Sequence, residues 1–398
     1  MANEKNKISK SNWVNRFEII GKPRINDYTF KIDEHSSKSS WIYNSMNLGI
    51  DAGEKYGVCY ASLMGGYSSE RENKLYAHGK DENGRDDYSN RIEVDWEERF
   101  DDSVLDEVGE QCFIRVGIEK TDKGQVFIKK FLSAYDAVNY VYENLTDDMV
   151  ICVTGDIRYG LYNDNITINK DIKSIRIWNV NDQNDFHAKF TQSILIDSNS
   201  TNMRDVDKST GNMPIDAIVL DYIKEINGHE VKGQFPFHVN MEYHFDLSNK
   251  NACKTIYNKL FKVNKGYTQI TFEGDFVSEN STVNVTVDDL PDDIKELIDC
   301  GIYTEEEALK ECASTSGTRE NHMFIRRPSI FMVGDGDNKL PTVQKFEEAY
   351  MEDELDFSWV YEDTDDEDED DDLPFGKPES ESVGNTGDDD DMSWLDMM

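Results

Sequence analysis

MVICVTGDIRYGLYNDNITINKDIKSIRIW, residues 149–178, is the stretch whose reading decides the fold. It reads as a strand over 150–153, a kink at Gly155 and Asp156, a second strand, a turn at Asn163 and Asp164, and two further β-rich pieces. Ile166, Ile168, Ile172, Ile175 and Ile177 alternate with polar residues, the period-two signature of half-buried strands. A glycine inside such a pattern marks a bend or bulge, as at the corner of a small closed barrel. The unit recurs after a shift of 119 residues, which lays Val153, Gly155, Asp156 and Ile157 over Phe272, Gly274, Asp275 and Phe276. Ile166 and Thr167 then fall on Val285 and Thr286, and Ala137 and Val141 of the preceding helical stretch on Ile256 and Leu260. Helix, strand, Gly-Asp and hairpin in one order and spacing imply two copies of one barrel-like β unit.

The composition leaves room for this. A chain of 398 residues with 37% hydrophobic and 11% aromatic content can bury two or three cores. The net charge of −39 is uneven, because residues 352–398 hold 21 acidic residues and one lysine. Six scattered cysteines without a CxxC pair, and no signal-like segment, predict reduced thiols in a cytoplasmic protein. No run approaches the ~20 apolar residues that span a membrane.

In chain order, residues 1–10 are polar and predicted flexible, and residues 11–180 form the first β unit. Its expected pieces are a strand pair VNRFEII and YTFKI, a hairpin from SSWIYNSMNLGID and YGVCYASLMGG, a hairpin from CFIRVGIEK and QVFIKKFL, and a helix over 134–145. A polar stretch over 67–102 reads as a functional or mobile insertion. VNDQND is the linker. Residues 186–345 form the second unit, with a helix over 252–261, the strand pair QITFEGDF and TVNVTV, a pair of short helices within 292–312, and a last strand HMFIRRPSIFMVGD in which Pro328 favours an edge or bulge. Residues 351–398 are too acidic and low in complexity to fold alone.

The chemistry-bearing motifs of enzymes are missing. The sequence has no glycine-rich phosphate loop, no HExxH and no GxSxG, and its seven histidines lack metal-ligand spacing. The expectation is a non-catalytic protein without metal or cofactor. Small Greek-key barrels with an inserted helix suit the OB-fold, so the expected class is mainly β, with two tandem OB-like domains, a few short helices and a disordered acidic tail. OB barrels hold single strands by stacking bases on aromatic rings, worth ~1 to 3 kcal/mol per base, and by basic side chains along the phosphates. In the first unit Trp41, Tyr43, Tyr56 and Tyr60 interleave with Lys38, Lys55 and Arg71, and a second cluster joins Lys129, Lys130, Arg158, Tyr159 and Tyr162. In the second unit VSENSTVN has neither aromatic nor basic residues, leaving FPFHVNMEY as its surface, so the first unit is expected to dominate binding. Affinity for a polyanion requires a basic groove on this acidic chain, which local clustering permits because salt screens surface fields within about 8 to 10 Å.

The tail carries Asp372, Leu373, Pro374 and Phe375 after a long acidic run, and the C-terminus repeats the theme with four aspartates before Trp394 and Leu395. Bulky apolar residues at the end of an acidic run suit a partner's apolar pocket rimmed by Lys or Arg. Here the chain resembles bacterial and phage single-stranded DNA-binding proteins, whose acidic tails end in an apolar peptide like DDDLPF and whose later barrel strands are similar to residues 150–175. It looks most like the larger ones from phages of low-GC Gram-positive bacteria. In that family the apolar peptide ends the chain, whereas here it is internal. The resemblance implies a protein that coats single-stranded DNA without strong sequence preference in the cytoplasm of a bacterial host, and recruits replication or recombination proteins through its tail. The rival from another class is an acidic interaction protein that mimics nucleic acid and occupies a partner's DNA groove.

Overall fold

In the computed structural model the described residues are 12–121, 123–162, 165–179, 185–280, 295, 298, 300, 304–305, 319–333 and 339–361. The chain runs β1 (Asn15–Arg24), β2 (Phe30–His35), β3 (Trp41–Asp51), β4 (Val58–Ser68), β5 (Lys74–Lys80), β6 (Asp86–Asp95), α1 (Asp102–Glu107), β7 (Ile114–Lys120), β8 (Val126–Phe131), α2 (Ala134–Asn144), β9 (Ile151–Tyr162) and β10 (Asn165–Ile177). It continues through β11 (His187–Ile196), β12 (Asn212–Ile226), β13 (His229–His244), α3 (Lys250–Ile256), β14 (Tyr267–Asn280), β15 (Arg319–Pro328), β16 (Ile330–Val333), β17 (Leu340–Val343) and β18 (Lys345–Tyr350).

Pairing defines two barrels of one topology. In the first, β1 pairs antiparallel with β3 and β9, β3 with β4, β9 with β10, and β4 lies parallel to β10. In the second, β11 pairs with β12 and β14, β12 with β13, β14 with β15, and β13 lies parallel to β15. Each ring has a helix before its fourth strand, α2 or α3, and a parallel contact between its third and fifth strands. That is the OB-type Greek-key barrel. The rings are joined edge to edge, since β1 also pairs antiparallel with β11 from Asn15↔Gln192 to Ile20↔His187.

The repeated glycine has a steric cause. β9 runs from Ile151 to Tyr162, and at Gly155 the ladder slips by one residue, Gly155 facing Ile172 and Thr154 facing Ser174, as it does between Glu273 and Gly274, so the expected bulge coincides with a close approach. A Cβ at Gly155 would fall on the carbonyl oxygen of Asp171 in β10, and one at Gly274 on the Phe190 ring and the carbonyl of Phe324. Strands cross too tightly there for any side chain. Gly155→Ala is expected to cost about 1 to 3 kcal/mol by overpacking, read as a lowered melting temperature with wild-type circular dichroism at 20 °C as the control for fold.

Three other expectations are corrected. β2 pairs with β3, not with β1. The partner of β14 is β15, far along the chain, while TVNVTV, the linker up to Asn184 and nearly all of the short helix pair lie outside the described residues. HMFIRRPSIFMVGD splits at Pro328, where β15 ends and β16 leaves to pair with β17. The tail also begins later than predicted: β18 pairs with β14, and Leu355, Phe357 and Val360 are buried. Residues 362–398, with Asp372, Leu373, Pro374, Phe375, Trp394 and Leu395, lie outside the described residues.

Candidate functional site

OB barrels bind oligonucleotides on the outer face of their second and third strands, and here the two barrels differ. On β3 the core takes Met46, Leu48 and Ile50, and on β4 Cys59, Ala61 and Leu63, so by alternation Trp41, Tyr43, Gly49 and Tyr60 share the outer face. Tyr60, 47% exposed, lies with its ring against Gly49, which has no Cβ to push it away. The half-buried Trp41 lies likewise over Gly66. Lys38 and Arg71 are exposed in the loops at one end of this hairpin, held together by the Ser69 N–H donating to the Ser40 carbonyl at 2.9 Å. Tyr43 is corrected: at 5% exposure its ring has no free face for a base, and burial raises its phenol pKa.

The corresponding face of the second barrel is closed. Ile218 and Leu220 point away from the core residues Ala217 and Val219 and pack under Tyr350 and Leu355, so the chain covers β12 with its own C-terminal segment. Phe235 and Phe237, predicted as a surface, are buried, the former against Phe357 at 5.1 Å. The open end of that barrel holds a hollow of about 790 Å³ lined by Asp205, Asp207 and Glu242, with no Lys or Arg.

Most of the second predicted cluster holds the molecule together. Tyr159, 4% exposed, donates its backbone N–H to Asp221 Oδ2 at 2.9 Å and its hydroxyl to Gln192 Oε1 at 3.1 Å, and burial pushes its phenol pKa up. Arg158 reaches the same Asp221 at 3.3 Å and Asp171 at 3.7 Å. Asp221 belongs to β12, so this is a clamp between barrels and Tyr159 is no stacking platform. Lys55 and Tyr56 are also drawn into the junction. Lys55 lies 3.6 Å from Asp275 and donates to the Tyr56 hydroxyl at 2.9 Å, and the Tyr56 carbonyl accepts from the Ser278 N–H at 3.0 Å. Lys129 and Lys130 on β8 pair with Glu119 at 3.4 Å and Glu110 at 2.8 Å. Tyr162 is half-buried at the end of β9.

A site that the sequence did not announce crosses both barrels. The β1–β11 pairing makes β10, β9, β1, β11, β14 and β15 one continuous surface, and register sets two rows across it. One row reads Arg115, Ser174, Thr154, Glu18, Lys189 and Asp275; the next reads Asp171, Asp156, Arg16, Thr191, Glu273 and Arg327. Above them lies a groove of about 1030 Å³, walled on one side by His78 and Tyr88 of the β5–β6 hairpin. That hairpin is the predicted polar insertion, anchored where Trp96 packs on Tyr67 at 5.1 Å and under Arg99, itself 2.7 Å from Asp136.

The charges in the groove are sorted by pairing. Arg326 holds Asp275 at 2.6 Å, Arg327 holds Glu273 at 2.7 Å, and His187 holds Glu18 at 2.9 Å, lowering the Glu18 pKa. Arg115 is tied to Glu110 at 3.3 Å. Arg16, Lys173 and Lys189 have no ion pair among the described residues. With six Lys or Arg against four carboxylates the lining is cationic on a strongly anionic chain. Tyr88, 70% exposed, offers an aromatic face at the rim.

A protein-family profile described as YorF matches residues 74–291, more than half of the chain. Among solved structures, the wild-type single-stranded DNA binding protein from Thermus aquaticus aligns over 82% of this chain and 98% of its own, at 7% identity and a TM-score of 0.32. A deletion mutant of that protein aligns over 67% of this chain and 88% of its own, at 10% identity and a TM-score of 0.29. No curated protein matches.

Proposed function

This chain belongs to the YorF family, and we propose that it binds single-stranded DNA, without strong sequence preference and without catalysing a reaction, along the groove that crosses its two barrels. The observation that carries this reading is that Arg16, Lys173 and Lys189 have no ion pair among the described residues, in a groove where three of the four carboxylates lie beside Arg326, Arg327 and His187 and the fourth, Asp156, stands across the β1–β9 ladder from Arg16. Phosphates compete poorly for a lysine already paired, and well for one that is not. Tyr88 at the rim and Tyr60 on the adjoining barrel supply aromatic faces that accept any base. The rival reading, a nucleic-acid mimic, calls for a continuous negative face, and six Lys and Arg side chains interrupt it here. The sequence of the tail, an acidic run ending in apolar residues, suits a partner's apolar pocket rimmed by basic residues, which is what recruitment of replication or recombination proteins would need.

Titration against fluorescent oligo-dT, with duplex of equal length as control, tests the reading at several salt concentrations. The expected result is preference for the single strand and log affinity falling with log salt at a slope of about −0.7 per phosphate contacted. A companion protein ends at Tyr361, because a cut at Tyr350 would remove the buried Leu355, Phe357 and Val360. It is expected to bind at least as tightly. Equal affinity for duplex, or no binding by either protein, would reject the proposal.

A further inference from the structure

Beside the groove, three residues from separate elements meet in an arrangement that DNA binding does not use. His78 on β5 places Nδ1 at 3.2 Å from the Cys112 Sγ and Nε2 at 2.9 Å from Asp86 Oδ1 on β6. The Asp86 carboxylate also accepts the Gln111 N–H at 3.0 Å, and these two bonds hold its pKa below the usual range. The Cys112 sulfur accepts the His78 backbone N–H at 3.4 Å. Gly109 closes over the imidazole so tightly that a Cβ there would strike both the ring and Asp86, and its N–H holds the His78 carbonyl at 2.8 Å. The ring is thus fixed from both sides. Cys59, Cys152 and Cys253 are buried, whereas Cys112 is partly open to solvent.

We propose that Cys112, His78 and Asp86 form an activated-thiol site, whose reaction partner is a small hydroperoxide. Asp86 holds the imidazole with Nδ1 turned to the sulfur, so His78 can take the thiol proton and leave a thiolate that the His78 backbone N–H faces. The thiolate sulfur attacks the terminal OH oxygen of the hydroperoxide, the O–O bond breaks, and the other oxygen takes the proton from the imidazolium and departs as water from hydrogen peroxide or as the alcohol from an organic hydroperoxide. Sulfur loses two electrons to become the sulfenic acid, and the peroxide is reduced by the same two. Of the charged groups nearby, Asp87 on β6 interacts with His78 through space, while Lys80 on β5, Arg115 on β7 and Lys130 on β8 are paired with Glu110. The inference concerns the thiol alone and stands apart from the nucleic-acid reading.

The test follows iodoacetamide alkylation of the full-length protein by peptide mass spectrometry from pH 5 to 9, with the exposed Cys300 as internal reference. Between pH 6 and 7 the rate for Cys112 is expected to exceed that for Cys300 on the order of tenfold. His78→Gln should return Cys112 to the ordinary profile, and Asp86→Asn should move it part of the way. Hydrogen peroxide with dimedone should label Cys112 on the order of tenfold faster than Cys300, given the few per cent of thiolate in a free cysteine at pH 7. A Cys112 profile that coincides with that of Cys300, or one that the His78 substitution leaves in place, would overturn the proposal.

Discussion

Asp221→Ala is expected to destabilise the protein by about 2 to 4 kcal/mol, because it strands backbone N–H groups at the seam at about 1 to 3 kcal/mol for each that is buried. The Asp221 side chain is buried at the meeting of the barrels, where it accepts the Tyr159 N–H at 2.9 Å and the Tyr222 N–H at 2.8 Å and faces Arg158 at 3.3 Å. Alanine would leave the guanidinium without its inner partner and the Tyr159 N–H without an acceptor. Both costs act in one place, on the seam between barrels. Hydrogen exchange should accordingly rise first along β9 and β12, before the outer strands. Arg158→Ala is expected to cost less, since that side chain is half exposed and solvent takes over part of its role. Equal melting temperatures for Asp221→Ala and wild type would show that the β1–β11 ladder and the Lys55 and Tyr56 contacts hold the barrels together without this clamp.

How much of this was legible in the sequence follows from the range of the interactions involved. The β3–β4 and β7–β8 hairpins and α2 are local, and alternation and turn residues predict them close to where they lie. The duplicated Gly-Asp unit is legible too, because a glycine forced by a crossing strand leaves the same mark in both barrels. Tyr159 misled for the opposite reason. Its polar neighbours suggested exposure, yet Asp221, which covers its backbone, lies 62 residues away. The closed face of β12 did leave a signal: IDAIVL is nearly continuous in apolar residues, the pattern of a strand buried on both sides. The groove left none. Arg16, Lys173 and Lys189 lie apart in sequence on three strands, and only the pairing of β1 with β9 and β11, and of β9 with β10, gathers them.

Arg16→Gln, Lys173→Gln and Lys189→Gln together are expected to lower the affinity for oligo-dT by about fiftyfold near 0.15 M salt. The figure follows from three lost phosphate contacts at a slope of about 0.7 each, which also predicts a salt dependence shallower by about 2. None of the three side chains has an ion pair among the described residues, so the melting temperature is expected to stay near that of the wild type, which separates lost binding from lost fold. A single substitution on β3–β4, Tyr60→Ala, removes one stacking face at most and is limited to ~1 to 3 kcal/mol. The two surfaces therefore differ in kind as well as size: loss at the groove is erased by raising salt, whereas loss at Tyr60 persists. If the triple variant keeps both its affinity and its salt slope while Tyr60→Ala loses affinity at every salt, the strand runs over the outer face of the first barrel, and the groove is a joint between barrels.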